Sequence, residues 1–268
     1  MDGTCSASPA TRMNQPLSVR SLLIRGMLVG IVAGLLAIGF AKIFGEPEVD
    51  RAINFENQEA QVRGDQPEVA LVSRAVQSTI GLGVGVVVLG VAIGGIYALA
   101  FAIAQGRIGQ LRPRVTAVVV AAGGYIAVVA VPFLKYPANP PSIGNPDTIG
   151  HRTELYFTMI LVSVIAAIVA VRIGQIAAKR RWGGWNSGLA GIGAFAVIMT
   201  LVLQIMPTVN EVPAGFPADV LWRFRIASLG TQAVLWGTLG LLFGALTERS
   251  LRAELGQGTQ RHASAELR

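Results

Sequence analysis

Six residues in two short polar segments have the atoms to hold a cation: Asn139, Asp147 and His151 in one, Asn210, Glu211 and Asp219 in the other. Carboxylate, amide and backbone carbonyl oxygens with an imidazole nitrogen are ligands that borderline divalent cations accept. Glu211 stands between Pro207 and Pro213, and proline's fixed φ limits backbone freedom on both sides of it. Pro132 stiffens the first segment as Pro207 stiffens the second. Arg152, Arg223 and Arg225 lie close by in sequence. Like charge repels a cation, so these arginines are expected to anchor the loops through carboxylates. Two readings of the same residues stand side by side. In one, Glu211 is an anionic ligand of a metal; in the other, the segments are a rigid loop pair with helix caps, and Glu211 pairs with Arg223.

The elements that must position these segments are apolar. Charged residues make up 14% of the chain and mean hydropathy is +0.56, whereas soluble domains carry roughly a quarter charged residues. Six runs, at 28–41 (extended back to 22 around Arg25), 76–104, 115–134, 155–171, 189–206 and 226–247, are Gly- and Ala-rich and almost free of charge. Each approaches the length of about 20 residues that a helix needs to cross the hydrocarbon core. The pattern predicts an all-α, polytopic integral membrane protein: a six-helix transmembrane bundle over 21–248, with polar, disordered tails at 1–20 and 249–268. The segments 132–152 and 207–225 share a layout of prolines, Asn, an acid and a closing Arg. That suits three helical hairpins in a row; it equally suits the plain need of short loops for proline and a helix-starting polar residue.

Charge sets the expected orientation. Fourteen of the 22 Lys and Arg fall in alternate segments: before the first run, between the second and third, between the fourth and fifth, and after the sixth. The other three loops hold eleven of the 15 acids. Basic segments stay inside, so a multi-pass protein of the inner (plasma) membrane with both termini cytoplasmic is expected, its acidic loops outside. Arg20 and Arg25 ahead of an apolar stretch that ends in Gly39-Phe40-Ala41 also suit a cleavable signal, but the long basic tail before it and Lys42 directly after it favour a retained helix. The net charge of +7 follows from this loop bias and calls for no nucleic acid.

Within the membrane the sequence offers packing rather than chemistry. Gly26, Gly30 and Gly34 share one helix face, as do Gly81 with Gly85, Gly90 with Gly94, and Gly240 with Gly244. Small residues four apart let two backbones approach closely, within the bundle or between copies in a homo-oligomer. No Asp, Glu or His lies at mid-membrane, which speaks against a proton relay. A phosphate-binding GxxxxGK[ST] loop, HExxH, paired carboxylates and a Ser/His constellation are all missing, so neither an ATPase nor another enzyme is read here. Cys5 is the single cysteine and forms no intramolecular disulfide.

The segments 132–141, 144–149 and 152–153, and then 210–213, 216–218, 221–225 and Ser228, resemble the CbtA family of probable cobalt transporter subunits, as does the six-helix layout from about Ser21 to Thr247. The resemblance implies passage of Co²⁺ as transported ion rather than stably bound cofactor, a link to cobalamin synthesis, and a small single-helix partner subunit with a His-rich end. The chain itself has only His151 and His262. The alternative is a scaffold in the lipid bilayer that binds other subunits without transporting.

Overall fold

The computed structural model describes residues 18–64, 81–141 and 143–253. In chain order its helices are α1 Val19–Phe44, α2 Glu46–Arg63, α3 Leu82–Ala104, α4 Pro113–Lys135, α5 Ile149–Lys179, α6 Gly184–Ile205 and α7 Ala218–Ala253, with a single 3-10 turn at Pro146–Thr148 before α5. Six of them, all but α2, are long and apolar enough to cross a membrane. Among the described residues there is no strand. The bundle is a helical membrane fold, its surface studded with exposed apolar side chains such as Leu28, Leu35, Ile96 and Ile192. Cys5, Gln77, His262 and the acids Asp65 and Glu68 lie outside the described residues, as does most of both tails. α7 runs on to Ala253, a turn into the segment read as a tail.

α1 and α3 form the tightest pair. Gly26 and Gly30 of α1 face Gly94 and Gly90 of α3 so closely that a Cβ built on Gly30 would stand 2.0 Å from the Gly90 carbonyl oxygen. The glycine face of α1 is therefore consumed within the chain. Gly240 and Gly244 of α7 do the same against Ala121 and Ala117 of α4. α1, α3, α4 and α7 close around Tyr97, Phe101, Leu239 and Phe243, all buried. The Tyr97 hydroxyl donates to the Ala117 carbonyl at 2.6 Å, and Phe243 meets the Tyr97 and Phe101 rings edge-on. An aromatic hydroxyl in hydrocarbon needs such a partner, because no water is there to supply one. α5 and α6 pack mainly on each other, with Met159, Ala166 and Met199 between them and Val131 of α4. The connectivity is three hairpins; the first, α1 with α3, packs on itself, while the other main contacts cross between hairpins: α1 with α7, α4 with α7, α5 with α6.

Both α4 and α7 carry a π-helical stretch, at Tyr125–Ala130 and Leu239–Phe243. In α4 the Val131 N–H reaches back to the Ile126 carbonyl. The wider turn comes directly before Pro132, which has no N–H to give the ladder.

The segment after α1, expected from the sequence to be a loop, is the helix α2. α2 opens with Pro47 in its first turn beside Glu46 and Glu48 and ends on Gly64 at φ +76°. Proline early, acids at the positive N-terminus and a left-handed glycine at the end are each standard helix punctuation. Its buried contact is small: Ala52 and Phe55 pack on Ile143, Phe216 and Val220, with the Phe55 and Phe216 rings edge-on at 5.1 Å. That cluster gathers all three acidic loops at one end. At the opposite, basic end Arg25 donates to Thr247 (3.0 Å) and Ser250 (2.6 Å), tying α1 to α7.

A candidate vestibule at the acidic end

The segments after α4 and α6 are stitched together by hydrogen bonds whose origin is local. Pro207 follows the last turn of α6 and lacks an N–H, so the Leu203 carbonyl four residues earlier has no helical donor. Lys135, the last residue of α4, supplies one through Nζ at 2.9 Å. The next residue, Tyr136, donates its hydroxyl to the Pro207 carbonyl at 2.8 Å. Arg225, in the second turn of α7, reaches across to the α4–α5 loop, donating through Nε to the Ala138 carbonyl (3.3 Å) and through Nη2 to Asn139 Oδ1 (2.9 Å).

Glu211 is the centre of this stitching. Its Oε1 accepts from the Thr148 hydroxyl at 2.6 Å, and its Oε2 from the Asn145 backbone N–H at 2.9 Å. Arg152 Nη1 lies 3.3 Å from Oε2. These donors hold the carboxyl below the usual glutamate range, the Thr148 hydroxyl contributing most and then the Asn145 N–H; desolvation opposes them, and Arg152 adds the smallest lowering effect. Glu211 is therefore ionised at neutral pH, and both its oxygens already accept from protein donors. Its cation is Arg152, from the other loop, and not Arg223, which is exposed and makes no hydrogen bond or ion pair among the described residues. Sequence proximity suggested Arg223; the fold brings Arg152 instead, because Thr148 and Asn145 start α5 directly beneath the α6–α7 loop. Gly144 is needed for this arrangement. It takes φ +122°, and a Cβ there would lie 2.2 Å from Arg152 Nη1.

Between the loops is a cavity of about 490 Å³. Asn139, Asn210, Glu211, Arg152 and Arg225 line it together with Tyr136, Tyr156 and flanking aromatic and aliphatic side chains. Three of the six cation-ligand candidates thus converge. The other three do not reach the cavity: Asp147 lies exposed in the 3-10 turn, its N–H bonded to Asn145 Oδ1, and His151 and Asp219 are exposed near the starts of α5 and α7. Among the described residues no group of three or more His, Cys, Asp or Glu is placed to hold a metal ion. The arginines outnumber the one carboxylate, and that carboxylate is neutralised. Pro132, near the C-terminal end of α4, is fully buried and does not line the cavity.

Sequence reading missed Lys135, Tyr136, Asn145 and Thr148 as working parts of this site. The signal for two of them was present: Asn145-Pro146-Asp147-Thr148 is a turn-and-helix-start sequence, whose Asn side chain caps the backbone two residues on. Lys135 and Tyr136 could not be assigned, since their acceptors are backbone carbonyls about seventy residues away.

A family model described as "Probable cobalt transporter subunit (CbtA)" matches residues 19–248. No curated protein and no solved structure matches the chain.

Proposed function

From the premise that this chain belongs to the CbtA family of probable cobalt transporter subunits, we propose that it is the membrane-spanning part of a transporter that moves cobalt through the bundle from the acidic-loop end. The observation that supports this reading most is the interlocked loop pair at that end. Two crossings, α4 and α6, finish in proline-ended segments clasped by Lys135–Leu203, Tyr136–Pro207 and the Glu211 contacts, around a cavity of about 490 Å³. Asp147, His151 and Asp219, exposed around that end, are the groups that would meet the metal in passing.

The word subunit implies a partner. In this reading the partner is a small single-helix protein with a His-rich end, which would supply the nitrogen ligands that this chain lacks, and the pair would serve cobalamin synthesis. The acidic end faces out and the basic end, with both termini, faces the cytoplasm, as the loop charges require.

Accumulation of Co²⁺, Ni²⁺ and Zn²⁺ in cells with and without the chain, expressed alongside its partner, tests the transport reading. Cobalt accumulation should depend on the chain. Identical levels of all three metals in both strains would leave only the scaffold.

The orientation is tested separately. In a Cys5→Ser background, single cysteines at Asn57 and Ala214 should react with an impermeant thiol reagent in intact cells, and those at Gln110 and Lys179 should not. All four positions are exposed. They avoid Gly109, Gly183 and Gly215, whose positive φ would strain any side chain. The opposite labelling pattern would invert the topology.

A further inference from the structure

We infer that the acidic-end cavity binds a small organic polycarboxylate, the class of anion that chelates divalent metals, so that the metal is presented to this chain as an anionic complex and not as a bare hydrated cation. The transport reading enters only in naming the metal; the anion site is argued from the cavity itself.

Charge carries the argument first. A cavity built for a divalent cation would show carboxylates free to coordinate. Here Glu211 is closed off by Thr148, Asn145 and Arg152, and the remaining charge is positive. Arg225 is partly buried in the wall and forms no ion pair among the described residues. Its Nε and Nη2 are spent on the neutral acceptors Ala138 O and Asn139 Oδ1, which leaves Nη1 without an acceptor among the described residues. A guanidinium has five N–H donors in a fixed fork that matches a carboxylate, and a half-desolvated one without an anion is costly. Arg152 is already paired, Nη1 with Glu211 and Nη2 with Asn145 O, but its Nε is buried with no acceptor among the described residues.

Size and texture agree. At about 490 Å³ the cavity falls in the range of roughly 300–1,000 Å³ typical of small-molecule sites. Its walls mix aromatic rings, Tyr136 and Tyr156 among them, with the amide of Asn210 and the two arginines. That is the lining expected for an organic body with anionic ends. A narrow ion path would instead present a ring of oxygens.

The experiment uses the full chain in nanodiscs of phosphatidylcholine, with thermal unfolding and titration calorimetry against citrate, the Co²⁺–citrate complex and CoCl₂ alone. Citrate and its cobalt complex should bind and raise the melting temperature, and CoCl₂ alone should do neither. Arg225→Gln should weaken citrate binding by roughly tenfold to a hundredfold, the worth of one charge-assisted hydrogen bond or two, with partial rescue by Arg225→Lys. Should Arg225→Gln fail to fold, Thr153→Glu places a negative charge on the exposed cavity wall and should abolish citrate binding on an otherwise intact protein. The inference is overturned if CoCl₂ alone binds and Thr153→Glu strengthens it. It is overturned equally if citrate has no effect and only phosphatidylglycerol in the disc stabilises, since the arginines then serve a lipid headgroup. Citrate binding in a chain that moves no cobalt would remove the transport reading and keep the site. Chain-dependent cobalt accumulation without citrate binding would do the reverse.

Discussion

Gly30→Ala, the addition of one methyl group, should lower the melting temperature of this protein more than any other single-methyl change in α1. The new Cβ would lie 2.0 Å from the Gly90 carbonyl oxygen, 2.8 Å from its carbon and 3.1 Å from the Gly94 Cα. Every one of these atoms is backbone, so no rotamer change can make room. The contact is reciprocal: a Cβ on Gly94 of α3 would lie 2.1 Å from the Gly26 carbonyl oxygen, and one on Gly90 would lie 2.5 Å from that of Gly30. α1 would have to back away from α3 along the whole face, and α1 also holds α7. Overpacking of a well-fitted core costs about 1–3 kcal/mol, and a backbone-on-backbone clash belongs at or above the top of that range. Gly39→Ala is the matched control on the same helix, because a Cβ there meets nothing within 4 Å. Ala33→Leu would be a poor control, since Ala33 is itself fully buried. Thermal unfolding and gel filtration in detergent decide the matter. If Gly30→Ala and Gly39→Ala melt together, the α1–α3 contact is not what holds the bundle.

Loss of the Glu211 carboxylate should release the clasp between the two proline-ended loops. Glu211→Ala removes the acceptor of three donors at once, leaving Thr148, the Asn145 N–H and Arg152 to find water. Glu211→Gln keeps an acceptor oxygen and removes the ion pair, so it should fall between Glu211→Ala and the parent. Residues that share one network are not additive: Arg152→Gln combined with Glu211→Gln should be little worse than the more damaging single change. Arg223→Gln, at an exposed residue outside the network, should add independently and cost little. The pH dependence has a definite sign. The carboxyl is held below its ordinary value in the folded protein, so its stabilisation is fully present above the unfolded-state value and disappears as pH falls through the folded-state value. The parent should therefore show an acid decline in melting temperature that Glu211→Gln flattens. Cobalt accumulation by the same variants adds the functional arm. Normal accumulation by Glu211→Ala at normal protein level would detach the clasp from transport. A strong Glu211–Arg223 coupling, with none to Arg152, would contradict the structure itself.

The crossings themselves were legible in the sequence because a bilayer imposes a rule that acts residue by residue. Hydrocarbon excludes charge, so charge-free runs of sufficient length must be helices, and the loops between them collect what is excluded. The α1 glycine face was legible for the same local reason, since four-residue spacing puts Gly26, Gly30 and Gly34 on one side of any helix. Its partner was not, because Gly90 and Gly94 become the other half only once α3 lies against α1. α2 was hidden by the opposite cause: it buries little more than Ala52 and Phe55, so it leaves no apolar period, only its capping residues. Glu211 was legible as the distinctive acid of its loop, and its partner was misjudged, because an ion pair depends on distance in space and Arg152 is near only through the packing of the α4–α5 and α6–α7 loops. The same packing turned a set of six cation ligands into three lining residues and three exposed ones. Residue type says what a side chain can bind; only the tertiary arrangement decides which groups converge, which are already satisfied by a neighbour, and what sign of charge the resulting cavity presents.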